Sequence, residues 1–407
     1  MLRKLLTTLS LAVLAAMLPA QADEKGQAVR PEVGKPLQEA IDLLKKRRGR
    51  EAYGKAREAN AVSGRSAYES LLVDQVLGQA AAAAGDASAA GRAFEAAAAS
   101  SAASGAQKLQ FLAASAGQYY VAKDYGKAAD VSERYLRGGG NDRGIRQMYA
   151  QALFLGKNYA AAAKVLSAEV EADEKAGRAP TESELQLLLS SYHQQRDDAG
   201  YSRAMEKLVA YYPKKDYWVN VLQGVAARPG FADKLAVDLA RLKLDAGVMR
   251  TASEYVEAAQ LVLQDGFPME ASKIIEQGYA AGLLGTGPEA ERHKRLKDLT
   301  AKNLAEDKAA LAQGDGGGAK DGKTLFNDGY NYVLHGKIDR GLSMMEEGLK
   351  LGTGFRRPEH AKLQMGHAYF VAGKKQKAIQ VYKSVQGSDG AQSIARLWVI
   401  RLAKNGA

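Results

Sequence analysis

Hydrophobic residues recur at helical spacing along most of the chain, and the helical segments come in related pairs. Segments 116–136 and 150–170 align at a spacing of 34 residues, which superposes Tyr125 on Tyr159. Residues three or four apart share one face of a helix, so a small residue lets a neighbouring helix approach while a large one fills the gap. The pattern therefore predicts antiparallel helix pairs rather than isolated helices.

A second pair of segments, 328–349 and 365–385, matches at a spacing of 37 residues. In each copy a glycine, Gly336 or Gly373, stands between the two predicted helices. Glycine adopts the left-handed backbone conformation that ends a helix and permits a tight turn. Each pair is amphipathic and cannot bury its apolar face alone, so neighbouring pairs are expected to stack.

The pattern is weaker elsewhere, but it stays helical. Residues 37–62 are predicted to form a helix hairpin with a charged turn, and 187–218 a repeat with a longer turn. The alanine-rich stretch 79–106 is interpreted as thin, closely packed helices, with low complexity as the alternative. No stretch alternates at the spacing of a strand. The predicted fold is an all-α solenoid of antiparallel helix pairs, capped by a C-terminal helix that carries Trp398.

Several helix pairs carry the pattern L-G-x-x-Y followed by A-x-x-x-F. The best copy is Met365-Gly366-x-x-Tyr369 with Ala378-x-x-x-Tyr382. This resembles the tetratricopeptide repeat (TPR). The resemblance implies an extended groove lined by the first helix of each repeat, which binds a protein partner.

The resemblance also implies which residues line that groove, because the lining positions face away from the second helices. Carried over residue by residue, they are Tyr120, Gln147, Gln151, Phe154, Phe326, Tyr330, His360, His367 and Phe370. Aromatic and amide groups of this kind are typical of a peptide or protein groove. The Lys and Asn clamp with which some TPR proteins hold chaperone C-termini is missing from the matching positions.

The region 205–285 resembles a narrower group, the periplasmic TPR proteins found with TonB-type systems of Gram-negative bacteria. The likeness depends on the element YPKKDYW (212–218) and the helical segment that follows it. It implies an accessory of outer-membrane uptake whose partner is a component of that system.

The first 22 residues are predicted to be a signal peptide. Arg3 and Lys4 precede a short apolar run, and Ala20-Gln21-Ala22 offers a cleavage site. The run is too short to span a bilayer, and no later segment is apolar enough to do so. The mature protein is therefore expected in the periplasm. The absence of cysteine excludes disulfides and thiolate metal sites.

Shifts in composition divide the remaining chain. The predicted regions are N-terminal TPR-like repeats at 23–180, degenerate repeats at 181–312, a Gly-rich linker at 313–323, and a C-terminal repeat pair with its capping helix at 324–407.

The net charge of +11 is concentrated near the C-terminus, where residues 320–407 carry an excess of eight positive charges. An exported protein meets little nucleic acid, so none is expected as a partner. An acidic protein segment, anchored by Tyr330, His367 and Phe370, is the predicted occupant of the C-terminal groove. Anionic lipid or envelope polysaccharide is the alternative counterpart, and an ordinary solvated surface is a further interpretation.

The segment GGAKDGKT (317–324) matches the nucleotide-binding pattern G-x-x-x-x-G-K-[ST]. That loop functions only between a buried strand and a helix, whereas a charged helical segment precedes this one. We therefore expect a linker and no nucleotide.

Other catalytic or metal-binding patterns are weak. His360 and His367 lie seven residues apart, hence on one helix face, but no carboxylate joins them at the spacing of a helical zinc motif. No nucleophile or carboxylate pair stands out, so neither a cofactor nor catalysis is expected. The sequence favours a non-enzymatic periplasmic scaffold that binds a protein. A basic envelope-surface binder is the alternative.

Overall fold

A computed structural model describes residues 28–313 and 321–404 of the chain. These residues form 20 α-helices and no strand, so the predicted all-α fold is confirmed. The chain divides into two compact units after Tyr201, and each unit is described by itself. The proposed signal peptide and the glycine run at 314–320 lie outside the described residues, and the finer regional borders stay predictions.

Unit 1 contains nine helices and the start of a tenth. They are α1 (Pro31–Lys45), α2 (Gly49–Ala61), α3 (Ala67–Ala84), α4 (Ala87–Ala99), α5 (Gly105–Val121), α6 (Tyr125–Arg137), α7 (Arg143–Leu155), α8 (Tyr159–Lys175) and α9 (Glu182–Gln195). Each helix packs on the next, and alternate helices such as α5 and α7 also touch. This is the TPR-like stack of helix pairs that the repeat predicts.

Polar residues at the helix starts explain where these helices begin. Ser66, Ser104 and Thr181 each accept a hydrogen bond from the third amide of the helix, and a Glu or Gln side chain returns the bond. Such reciprocal caps satisfy amide groups that have no partner within the helix. Asp124 and Asn158 cap the second helices α6 and α8 in the same way with one bond.

The alanine-rich stretch forms the two closely packed helices α3 and α4. Phe94 lies against Gly78, where an added Cβ would come within 2.7 Å of the ring, and Tyr119 lies against Gly91 in the same manner. Small residues on one helix thus accommodate the large residues of the next, as the periodicity predicts.

Unit 2 contains the rest of α10 and ten further helices. They are α10 (Asp198–Tyr211), α11 (Lys215–Ala226), α12 (Ala236–Asp245), α13 (Ala252–Gln264), α14 (Pro268–Ala280), α15 (Ala290–Gln313), α16 (Gly322–Leu334), α17 (Ile338–Leu351), α18 (Pro358–Val371), α19 (Lys375–Lys383) and α20 (Ala391–Lys404). A 3₁₀ turn, Asp233–Leu235, precedes α12.

Helices α16 and α17 pack closely where glycines of the two helices face each other. A Cβ added to Gly341 would lie 2.5 Å from the carbonyl oxygen of Gly329, and one added to Gly329 would lie 2.6 Å from that of Gly341. The two backbones are therefore in direct contact. The turn between the helices contains Gly336 at φ +79°, and the turn after α18 contains Gly373 at φ +71°, as the sequence predicts.

The last helix of unit 2 packs against helices that lie earlier in the same unit. Trp398 of α20 stacks on Tyr382 with 5.6 Å between ring centroids, which agrees with its predicted capping position. In addition, α20 packs against α12. Arg401 donates to Asp245 at 2.7 Å, and Arg228 donates to Ser393 at 2.8 Å. In the described part of the chain, no helix is both long and apolar enough to cross a membrane.

Candidate functional site

The predicted groove residues of unit 1 lie together on its first helices, α5 and α7. The hydroxyl of Tyr120 donates to the side-chain oxygen of Gln151 at 3.0 Å, and Gln147 donates to Glu184 of α9 at 3.1 Å. Phe154 packs edge-to-face against Tyr159. Tyr120, Gln147, Gln151 and Phe154 are all half-buried, and we call these four residues the first-helix face of unit 1.

Exposed apolar side chains lie beside that face. Val121 follows Tyr120 and is 50% exposed, and Leu155 follows Phe154 and is 43% exposed. Both are among the few large hydrophobic residues of the described chain that are exposed to this degree. The two pairs recur at the 34-residue spacing of the repeat, so the face combines aromatic, amide and exposed aliphatic groups in a regular array.

Three of the five predicted groove residues of unit 2 are buried, although the resemblance implies that they line an open groove. Phe326 is 1% exposed, Tyr330 0% and His367 8%. The reason is the closure of the unit. Phe267, just before α14, lies edge-to-face on Tyr330 with centroids 4.8 Å apart, and Trp398 lies 5.8 Å from the ring of His367.

A buried polar network covers the same face. The guanidinium of Arg241 on α12 donates to both carboxylate oxygens of Glu270 on α14, at 2.7 and 2.8 Å. It also donates to Asp238 at 3.1 Å. The Tyr330 hydroxyl donates to Glu270 at 3.2 Å and lies 2.7 Å from Nδ1 of His367. Because Tyr330 has one proton and gives it to Glu270, His367 must donate to Tyr330 from a protonated Nδ1.

Burial sets the protonation of these groups. Burial, together with the positive charge of Arg241, lowers the pKa of His367 to about 3, so the imidazole is neutral. Burial raises the pKa of Asp238 to about 6. Burial also acts to raise the pKa of Glu270, but Arg241 outweighs it and holds that pKa below its usual value. The network thus contains a stable carboxylate–guanidinium pair in the interior.

The remaining predicted residues of unit 2 lie at the edge of this interior. Phe370 is half-buried and its ring centroid lies 5.1 Å from that of Trp398. His360 is also half-buried, and its Nε2 lies 2.7 Å from Asp389. His360 and His367 therefore have separate partners, and no group of three potential metal ligands occurs among the described residues.

Unit 2 also contains an open cleft of about 690 Å³ next to the buried network. Cations and aromatic rings line it together with two carboxylates, Asp238 and Asp265. The other lining residues are Lys234, Val237, Arg241, Phe267, Lys323, Phe326, Asn327, Gly354, Phe355, Arg356, Arg357, His360, Ala361 and Gln364.

The described end of the segment GGAKDGKT is the start of α16, preceded by the helix α15 rather than by a strand. The first amides of α16 are bound by protein atoms. Gly322 donates to the Thr353 hydroxyl at 2.8 Å, Lys323 to the Thr353 carbonyl at 3.0 Å, and Thr324 to Asp321 at 3.0 Å. A phosphate-binding loop needs such amides to be free, so this geometry argues against a nucleotide here.

Sequence reasoning missed Arg241, Glu270 and Asp238. One signal was present, because Asp238 and Arg241 lie three residues apart among the apolar positions of α12. Opposite charges at that spacing share a helix face. Their partner on α14 could not be identified without the tertiary contacts.

No family model matches the chain, and no curated protein matches it. Solved structures similar to it include that of Naa15/Naa10 bound to HypK-THB, at 15% identity and a TM-score of 0.32, covering 89% of this chain and 58% of that chain. The TPR2AB domain of yeast Sti1 with pHSP90 has 12% identity and a TM-score of 0.24, covering 73% of this chain and 99% of that one.

Yeast Tom70 has 11% identity and a TM-score of 0.25, covering 92% of this chain and 97% of that chain. At these TM-scores the likenesses assign no function. The helix pairs of the chain itself define its TPR-like fold.

Proposed function

We propose that the protein is a non-enzymatic scaffold that binds a protein partner through the first-helix face of unit 1. The observation that carries this proposal is the repeated pair of a half-buried aromatic and an exposed aliphatic residue, Tyr120 with Val121 and Phe154 with Leu155. Rigid aromatic groups flanked by apolar surface are common anchors of protein interfaces.

The polar groups of the face support the same proposal. Gln151 and Tyr120 are bonded to each other, so their positions are fixed before a partner arrives. Gln147 is fixed in the same way by Glu184. A surface that is already ordered loses less side-chain entropy on binding. These groups can also hydrogen-bond to a partner's backbone, which gives the contact a direction that apolar groups alone do not give.

We further propose that the protein acts in the periplasm as an accessory of a TonB-type outer-membrane transport system. The leader-like sequence at 1–22 and the resemblance of 205–285 support this location and role. N-terminal sequencing of the exported protein should begin at Asp23. Recovery of a product that retains Met1 in the cytoplasm would contradict the location.

The partner surface is tested by the double variant Val121→Ser and Leu155→Ser. Both side chains are exposed, so their replacement should leave helix content unchanged by circular dichroism. Partners crosslinked to the wild-type protein in intact cells should be captured at least about tenfold less well, because the apolar anchors are lost. The matched control is Leu299→Ser on α15, where an equally exposed leucine (51%) lies outside the face. Equal loss in the control would contradict the assignment.

The alternative function is docking of a basic surface on anionic lipid or polysaccharide, which the positive excess of residues 320–407 favours. The dependence of binding on salt concentration distinguishes the two functions. The Debye length falls from about 10 Å at 0.1 M to about 3 Å at 1 M salt, so charge-driven docking should disappear over that range. Partner capture by the first-helix face should persist. Capture that is lost in salt but kept in the double variant would favour the alternative.

A further inference from the structure

We propose that the cleft of unit 2 is a binding site for a small organic oxyanion, a molecule that joins a carboxylate or phosphate group to an aromatic or similarly apolar ring. This site lies in a different unit from the first-helix face and does not depend on the protein partner. Its evidence comes from the charges, the apolar floor and the fixed geometry of the cleft.

Positive charge dominates the cleft. Five Lys or Arg side chains line it against two carboxylates, and one of those carboxylates, Asp238, is already bonded to Arg241. The other four cations form no ion pair with a carboxylate of the described residues. They are Lys234, Lys323, Arg356 and Arg357. Five cations against two carboxylates leave the concave site with an excess of positive charge, which attracts anions and is typical of oxyanion recognition by Arg and Lys.

The wall between these cations is apolar and rigid. Phe326 and Phe355 meet edge-to-face with centroids 5.5 Å apart, and Phe267 lies nearby against Tyr330. Phe326 belongs to α16 and is almost fully buried, so its ring is fixed by the core. An inorganic ion would leave this wall without a contact, whereas a ring attached to the anion would cover it.

The loop that carries the arginines is held against the start of α16. Gly354 has φ +79°, and a Cβ there would lie 2.8 Å from a carboxylate oxygen of Asp321 and 3.0 Å from Cβ of Lys323. The amide of Lys323 also donates to the Thr353 carbonyl at 3.0 Å. The backbone that carries Arg356 and Arg357 is therefore held at the start of α16 before a ligand binds, which lowers the entropic cost of ordering the loop.

The size of the cleft favours a small molecule over a polypeptide segment. A volume of about 690 Å³ lies within the range of pockets that bind small ligands. The groove of α16 and α18 also ends at the cleft, because Tyr330 beyond it is fully covered by Arg241 and Phe267. An extended chain could not continue along it as it could along the first-helix face of unit 1.

The experiment is calorimetric titration of the full chain at constant ionic strength with four probes. Phenyl phosphate and phthalate represent the phosphate and carboxylate forms of the ligand, inorganic phosphate lacks the ring, and a decapeptide of Asp and Glu represents a polypeptide. We expect saturable binding of phenyl phosphate, of phthalate or of both, at least about tenfold tighter than inorganic phosphate because the ring buries apolar surface.

Variants locate the site. Arg357→Ala and Lys323→Ala should each weaken binding by about tenfold or more, since a hydrogen bond to a charged group is lost. Lys350→Ala, an exposed lysine of α17 outside the cleft, should bind like the wild type. The proposal is overturned if neither ring compound binds saturably, if the cleft variants bind normally, or if the acidic decapeptide binds more tightly than both ring compounds.

Discussion

One position of the repeat is occupied by Gln151 in unit 1 and by Tyr330 and His367 in unit 2. The surroundings of this position differ between the two units. Gln151 is half-buried, and among the described residues its side chain bonds only to Tyr120, on a face with exposed aliphatic residues beside it. Tyr330 and His367 are buried and belong to a network with Arg241 and Glu270. The repeat therefore determines the helix position of a residue, but not whether that position is covered.

The cause of the difference is how each unit ends its packing. In unit 1 each helix contacts its near neighbours along the chain. In unit 2 the last helix, α20, also returns to α12, and Arg241 of α12 lies over the ring of Tyr330. Helices that return in this way cover the first-helix positions with charged and aromatic side chains. Where the first-helix positions are covered, they belong to the core of the unit. The cleft at the edge of this core is the space that stays open.

The largest difference between the units in the free energy of unfolding should come from breaking the buried ion pair of unit 2. Glu270→Ala leaves Arg241 buried and without its main partner, which typically costs about 3–5 kcal/mol. The loss is measurable by urea unfolding followed by tryptophan fluorescence, because Trp218 and Trp398 both lie in unit 2.

The matched change in unit 1 is Glu133→Ala. Glu133 pairs with Arg137, and the two side chains are 41% and 76% exposed. An exposed pair of this kind contributes at most about 1 kcal/mol, so circular dichroism should show little change in unfolding. Similar losses for the two variants would mean that the interior of unit 2 is open to water.

The second difference concerns glycine packing. Gly341→Ala in unit 2 places a methyl group against the backbone of Gly329, which cannot turn aside, and should cost about 1–3 kcal/mol. Gly78→Ala in unit 1 meets the ring of Phe94, a side chain that can adjust more easily than a backbone. We expect a smaller loss there, partly offset because alanine favours the helix. Equal unfolding midpoints for the two variants would contradict the close backbone contact.

The third difference is the pH dependence that the buried His367 gives to unit 2. His367 has a pKa of about 3 in the folded state, whereas an unfolded histidine titrates near 6.5. Between these values the unfolded chain binds a proton that the folded chain does not. As pH falls below about 6.5, the wild type should therefore lose about 1.4 kcal/mol per pH unit relative to His367→Gln.

Neighbouring groups titrate as well. The raised pKa of Asp238 acts in the opposite direction between about 6 and 4, and the lowered pKa of Glu270 acts in the same direction as His367 at lower pH. Both groups are present in wild type and variant, and Glu270 stays ionised above about pH 5 because its pKa is lowered. The difference between the two urea titrations from pH 7 to 5 therefore reports on His367. A difference that does not change between pH 7 and 5 would contradict a buried neutral imidazole.

The smallest difference in stability is expected from the turns that join the two helices of a pair. Unit 1 places Lys123 and Lys157 at φ +60° and +64°, where unit 2 has Gly336 and Gly373. A left-handed conformation costs a non-glycine residue about 1–2 kcal/mol, although glycine loses more entropy on folding. Lys157→Gly should therefore raise stability by no more than about 1 kcal/mol, whereas Gly373→Lys should lower it. A loss of stability in Lys157→Gly would contradict this account of the turn.

Much of the fold could be predicted from the sequence because its signals are local. Helical periodicity, the turn glycines and the small residues opposite Phe94 and Tyr382 all act within one helix pair. The residues predicted to line a groove lie on the first helices of their pairs. Their burial could not be predicted, because Arg241 and Glu270 reach Tyr330 from helices 89 and 60 residues earlier in the chain. No single repeat contains that information.

The central claim is that the first-helix positions are open in unit 1, whereas Phe326, Tyr330 and His367 are covered in unit 2. Hydroxyl-radical footprinting with mass spectrometry tests it most directly. Tyr120, Phe154 and the adjacent Leu155 should be oxidised in the native protein. Tyr330 and Phe326, which are 0% and 1% exposed, should react only after unfolding. Oxidation of native Tyr330 at the rate of Tyr120 would show that the groove of unit 2 is open, and would contradict the account.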